Sequence, residues 1–317
     1  MTQTRAVVIP QPGQVLLQEV TLRDLKADEV VIETAYTSIS AGTERMLLAG
    51  QMPHPMLQLP VVPGYETVGH VVALGTDVSE DWLGKAVYIG GAHCYKGVNS
   101  AWGGQSARLI APVNRVIPLE SVDARQGVLL ALTATALHGV DVLNPAEGER
   151  VLVIGQGPVG QLAARILSAQ GNHVIVTDIN PERLKRSHAD QIINVQTDDL
   201  KSVLSAPVNA IIEASGSMMA LNQALPHLAN GGTILLLGYY QTLELPYMPL
   251  FLKEAQLRTA KEWSAGDLVR SRDMIADGTL EVASLLTHDM PIESVTAGYD
   301  VAMNDPTCLK LVLNWSN

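Results

Sequence analysis

Three observations predict an α/β fold in which a doubly wound parallel sheet accompanies a separate β-rich domain. Between residues 151 and 237, short wholly apolar runs alternate with helical stretches, the pattern of a parallel sheet buried on both faces. Before residue 121 the apolar runs are short or alternating and are punctuated by Gly, Pro and Asp, as in a compact, mostly antiparallel domain. A glycine-rich turn at residues 155–160 joins the first buried run to a helix.

In chain order, residues 5–9, 14–20, 29–36, 67–73 and 86–89 read as strands, and 108–116 closes the first domain. The pattern changes near Ser121, and the alanine-rich stretch 127–140 reads as one long helix. Residues 151–154 form a buried strand, 161–170 a helix, and 173–177 a second strand ending at Asp178. A third strand covers 210–213. The helix predicted over 221–229 is stopped by Asn230, Gly231 and Gly232, and a strand at 233–237 ends at Gly238. Beyond about Trp263 the pattern predicts a helix at 267–276 and a strand at 310–313. That last strand can return to the first domain, which would make the parallel-sheet domain an insertion; periodicity leaves the question open.

Composition narrows the class. With 317 residues, 47% apolar and 17% charged, the chain can bury two cores. A net charge of −11 argues against a nucleic-acid partner, because no basic block is available to neutralise phosphates. The two cysteines, Cys94 and Cys308, suit a reducing compartment. Without a signal pattern or a long apolar span, the chain reads as cytoplasmic with no transmembrane segment. Peripheral association with a membrane leaves little trace in composition and stays open.

The glycine turn has the G-x-G-x-x-G spacing. Gly155 permits the tight turn, Gly157 lets backbone approach a pyrophosphate, and Gly160 lets the helix pack on the strand. The helix N-terminus then offers free N–H groups to the phosphates. Asp178 stands eighteen residues past Gly160, close to the spacing of about 20 at which an acid binds the adenosine ribose. These residues in this order predict a Rossmann domain that binds NAD, since a carboxylate accepts from a 2′-hydroxyl and repels a 2′-phosphate. Arg183 is the counterweight: it can reach such a phosphate, or pack over the adenine.

A β-rich domain, a Rossmann domain and a short returning tail resemble the medium-chain dehydrogenase/reductase superfamily. The marks are Gly42, Thr43 and Glu44, the stretch 63–69, the glycine loop, and the final stretches 278–280, 287–288 and 310–313. The resemblance implies a GroES-like catalytic domain over 1–121 and 262–317, with the Rossmann domain over 122–261. It also implies that Pro158, Val159, Ile179, Ser215, Gly216, Gly238 and Thr135 join the glycines, Asp178 and Arg183 in holding the cofactor. Relatives pair through the edge of the Rossmann sheet, which allows a homodimer.

Departures from the family pattern bear on the chemistry. Zinc-using members hold the metal with Cys, His and a further Cys or His. The matching positions here carry Ala41, Tyr65 and Ala131, so no zinc is expected. Hydroxyl and carboxyl groups must then manage the alcohol proton. Tyr65, in place of the histidine ligand, is the first candidate for alcohol binding or proton transfer, the other reading being a packed structural tyrosine. To act as a base its phenol must fall below the usual value of about 10. Thr43 matches the hydroxyl residue that bonds the substrate alcohol in relatives, or else caps a helix. Glu66 can orient a neighbour. Glu44 is expected in an ion pair with Arg45. His93 is a base, an axial ligand to a metal carried by the substrate, or a surface-loop residue. Met46 replaces the family's relay histidine.

Within the superfamily, residues 39–45, 50–53, 62–66, 91–95, 102–104 and 129–136 resemble the branch that oxidises the hydroxyethyl group of a chlorophyllide or bacteriochlorophyllide to acetyl. This tetrapyrrole substrate is implied by the resemblance alone. Met46, Met52, Met56, Leu57 and Trp102 can supply apolar walls for it or serve as core, and Lys96 and Arg108 can pair with its propionate. A zinc-free quinone or enone reductase and a non-catalytic nucleotide-binding protein are the alternatives.

Overall fold

The computed structural model describes residues 2–52 and 58–316. Met56 and Leu57, two of the expected apolar walls, lie outside the described residues. The chain divides into two compact units, Met1–Ala131 with Leu286–Asn317, and Leu132–Leu285.

In the first unit, Glu29–Ser38 is the central strand of a seven-stranded sheet. Thr67–Leu74, Arg108–Pro112 and Leu311–Asn314 all pair with it antiparallel. The C-terminal strand therefore does return, with Val312 opposite Ser38 and Leu313 opposite Thr37. Its inward residues are apolar and fully buried, which accounts for its place in the core. A three-stranded sheet of Gln3–Val8, Leu16–Leu22 and Tyr95–Lys96 completes the β-rich part. The eight-residue helix Ala41–Leu48, which no local period announced, directly follows the central strand.

The second unit holds a six-stranded sheet in which every pairing is parallel. From one edge its strands are Gln191–Asn194, His173–Asp178, Arg150–Ile154, Val208–Glu213, Leu228–Leu236 and Gln256–Thr259. Arg150–Ile154 lies where the strand order reverses, so the crevice beyond its C-terminal end is the expected ligand site of such a sheet. This is the doubly wound Rossmann arrangement, and the first unit is the β-rich GroES-like domain.

Local expectations needed correction in three places. The helix expected over 127–140 is two helices, Ala124–Gly127 and Leu130–Leu143, the first capped by the Asp123 carboxylate, which accepts from Arg125 N at 3.0 Å. The helix expected over 221–229 runs Met218–Ala224 and gives way to a short 3-10 turn containing Pro226. Asn230, Gly231 and Gly232 are not its stop signal. They bulge from the strand Leu228–Leu236, whose register jumps from Val208↔Leu228 to Ala210↔Thr233. Finally, residues 262–285 group with the second unit rather than the first. Helix Asp267–Ala276 is tied there by Arg270 to Asp141 at 2.6 Å, and Glu281 pairs with the buried Arg165 at 2.5 Å. No helix among the described residues is long and apolar enough to cross a membrane.

Candidate functional site

The first unit gathers hydroxyl groups at the start of helix Ala41–Leu48. Tyr65 Oη lies 2.5 Å from Ser40 Oγ and 3.2 Å from Thr43 Oγ1. The Tyr65 ring meets Trp102 edge-on, with centroids 5.2 Å apart, and its carbonyl accepts from Tyr88 Oη at 2.8 Å. Trp102 itself holds a left-handed backbone (φ 68), and a Cβ on Gly91 would fall 2.2 Å from its carbonyl oxygen. Thr43 and Tyr65, two of the residues expected to act together, are thus brought together. Ser40 is added by the fold.

Burial, and then the nearby Glu66 carboxylate, push the Tyr65 phenol above its usual range. This reverses the shift a general base would need. Tyr65 stays a neutral phenol, able to donate and accept hydrogen bonds but not to serve as a standing phenolate.

Glu66 is 1% exposed and is held by Ser38 Oγ and by the Lys310 ammonium, itself 2% exposed. Its Oε1 is buried without a hydrogen-bond partner. Glu44 does not pair with Arg45, contrary to expectation. Arg45 donates to the Met303 carbonyl, while Glu44 is fully buried and accepts from Ser40 N, Gln105 Nε2 and Tyr299 Oη. The reason is the helical turn, which sends successive side chains in different directions and points Glu44 inward. His93 is exposed, its carbonyl accepts from Arg23 Nε at 3.3 Å, and desolvation followed by the Arg115 charge lowers its imidazole pKa. Arg108 is engaged with Glu33 at 2.8 Å, and Lys96 is exposed.

These residues do not fit a zinc ion. Ala41 and Ala131 carry no donor atom, and a phenol held neutral is a poor ligand. Among the described residues, no cluster of three or more His, Cys, Asp or Glu side chains could hold a metal.

The second unit supplies a cradle that suits a dinucleotide. Gly155 has φ 89, and a Cβ there would meet Ser215 at 2.7 Å; one on Gly160 would fall 1.9 Å from the Gly155 carbonyl oxygen. Gly157, which opens helix Pro158–Ala169 with Pro158 and Val159 in its first turn, faces nothing within 4 Å, leaving room for a phosphate at the helix N-terminus. Asp178 is buried and accepts from Gln156 N at 2.6 Å and Asn180 N at 2.8 Å, so the acid also braces the glycine loop. Arg183 sits 3.9 Å from that carboxylate, and Ile179 is exposed beside it. Ser215 and Gly216 lie in the turn after Val208–Glu213, and Gly238 in the turn after Leu228–Leu236. Thr135 is half-buried on Leu130–Leu143. Sequence reasoning missed Glu213, whose fully buried carboxylate accepts from the amides of Ser215 (2.8 Å) and Gly216 (3.0 Å) and so shapes that turn. A charged residue ending an otherwise apolar strand was the available signal.

The sequence pattern of the alcohol dehydrogenase GroES-like domain matches residues 26–121, and that of a zinc-binding dehydrogenase matches residues 158–270. The chain is 33% identical over 321 residues to 2-desacetyl-2-hydroxyethyl bacteriochlorophyllide A dehydrogenase of Cereibacter sphaeroides, with 99% of this chain and 98% of the relative covered. It is 34% identical over 319 residues to the protein of the same name from Rhodobacter capsulatus, with 99% of each covered. An alcohol dehydrogenase from Escherichia coli CFT073, solved in complex with NADH, shares the fold at a TM-score of 0.86 and 23% identity, with 99% of each chain covered.

Proposed function

The chain belongs to the medium-chain alcohol dehydrogenase family, an oxidoreductase family that uses a nicotinamide cofactor, and on that premise we propose that it oxidises the hydroxyethyl side chain of a bacteriochlorophyllide to acetyl, with NAD and without zinc. The substrate is suggested by the two relatives named for that reaction, which align over essentially the whole chain. One observation carries the zinc-free chemistry: the Tyr65 phenol, flanked by the hydroxyls of Ser40 and Thr43, stands at the position where zinc-using relatives carry a ligand.

When bound, the nicotinamide supplies the hydride acceptor. Thr43 and Tyr65 orient the substrate hydroxyl. Its proton passes to Tyr65 Oη as Tyr65 releases its own to Ser40 Oγ and Ser40 releases its own to solvent water, so every hydroxyl along the chain stays neutral and the net proton ends in solvent. Asp178 supports NAD, because its carboxylate favours a ribose 2′-hydroxyl over a 2′-phosphate. Arg183 is partly answered by that same carboxylate, which reduces its pull on a phosphate.

The test is incubation with NAD and hydroxyethyl bacteriochlorophyllide. The new acetyl group, conjugated to the ring, shifts the pigment's absorption, and an unchanged spectrum argues against this substrate. Tyr65→Phe should lower kcat/KM by about 100-fold or more, and Thr43→Ala by less, with melting temperature preserved. Normal turnover in both variants removes the hydroxyl mechanism. A tenfold preference for NADP would overturn the cofactor assignment, as stoichiometric zinc in active protein would overturn the metal-free one.

A further inference from the structure

Ser40 is the N-cap residue of helix Ala41–Leu48, yet its side chain makes no capping bond. A serine at that position ordinarily gives its hydroxyl oxygen to an amide of the first turn. Here the hydroxyl is turned to Tyr65 instead, 2.5 Å away. The Glu44 carboxylate, one position beyond the acid of a capping box, reaches back to accept from Ser40 N at 3.1 Å. The same carboxylate accepts from Gln105 Nε2 at 3.1 Å and from Tyr299 Oη, and Tyr299 Oη also lies 3.1 Å from Gln105 Oε1. All of these partners are neutral. A fully buried carboxyl group with neutral partners is costly, and an apolar residue would fill the same volume at lower cost.

We propose that Glu44, clamped by Tyr299 and Gln105, is a positioning residue for the reaction: it fixes Ser40, and Ser40 fixes the Tyr65 phenol toward the substrate hydroxyl. The inference rests on the reading of Tyr65 given above. It brings the C-terminal helix Val295–Asn304, which carries Tyr299, into control of the reacting groups.

The clamp has a pH sense. Burial raises the Glu44 carboxyl to about 7, and the Glu66 carboxylate pushes it the same way, while the Tyr299 and Ser40 hydrogen bonds and the Lys310 charge pull it down. Only the ionised form accepts from all three donors at once; protonation sets a donor against a donor. Ser40 is therefore held above neutrality and loosened as pH falls through about 7.

The experiment compares pH profiles of kcat and KM for the full-length enzyme and its Glu44→Gln, Tyr299→Phe and Tyr65→Phe variants, with thermal melting alongside. In the wild type kcat should rise as pH increases through about 7. Glu44→Gln should lower kcat about tenfold, a loss of about 1.4 kcal/mol of transition-state stabilisation, and should abolish that rise while leaving KM for NAD unchanged. Tyr299→Phe should move the rise to higher pH, because the ionised carboxylate loses a donor; a merely structural tyrosine would not move it. A folded Glu44→Gln enzyme with wild-type kcat and an intact limb overturns the inference. If that variant does not fold, an unshifted limb in Tyr299→Phe overturns it instead. Full turnover in Tyr65→Phe refutes the underlying site, whereas an inactive Tyr65→Phe beside a normal Glu44→Gln refutes only the clamp.

Discussion

Lys310 interrupts the apolar run 308–313 and is only 2% exposed. A lysine is almost never buried unless paired, and the partner here is Glu66. Removing one member of a buried pair leaves an uncompensated charge, so Lys310→Met should destabilise the protein by about 3–5 kcal/mol in chemical denaturation. The double variant Lys310→Met with Glu66→Gln should recover most of that loss. If the single substitution is neutral, the pair carries no such weight. The lone lysine among Leu and Val was a signal in the sequence, but its partner was not. Glu44 teaches the same lesson: an ion pair with the adjacent Arg45 was the local expectation, and the actual partner Tyr299 is 255 residues away.

The element that the sequence disclosed most fully is the strand, glycine loop and helix at 150–169. Its two outer glycines are required by close backbone contact, and the middle one by space for a ligand. Gly160→Ala should lower the melting temperature, because the new methyl group meets the Gly155 carbonyl and pushes helix Pro158–Ala169 off its strand. Gly157→Ala has no neighbour to strike, so melting should hold while NADH titration shows roughly tenfold weaker binding, about 1.4 kcal/mol. Undiminished binding in Gly157→Ala would mean that the phosphates lie elsewhere. Other elements were less legible. Helix Ala41–Leu48 went unread, because Gly42, Thr43 and Glu44 have no helical apolar period. Asn230, Gly231 and Gly232 look like a helix stop and are a strand bulge, because pairing with Val208–Glu213 overrides the local turn preference.

At the scale of the whole chain, the parallel-sheet unit is an insertion into the β-rich one, closed by Leu311–Asn314 beside the central strand Glu29–Ser38. Truncation before Leu311 should raise hydrogen exchange along Glu29–Ser38 and leave Arg150–Ile154 protected. Equal protection of both strands in the truncated chain would contradict the dependence of the first unit on its C-terminal strand. The sequence by itself determined the alternation of strands and helices, the glycine cradle with Asp178, and the lack of donor atoms at Ala41 and Ala131. Each of these is written in residue types or in spacings of about 20 residues or fewer. Only the tertiary structure decided that Ser40 turns its hydroxyl to Tyr65, that Glu44 is clamped by Tyr299, and that Lys310 answers Glu66. Those contacts follow from strand pairing and burial between distant segments, which no local period encodes.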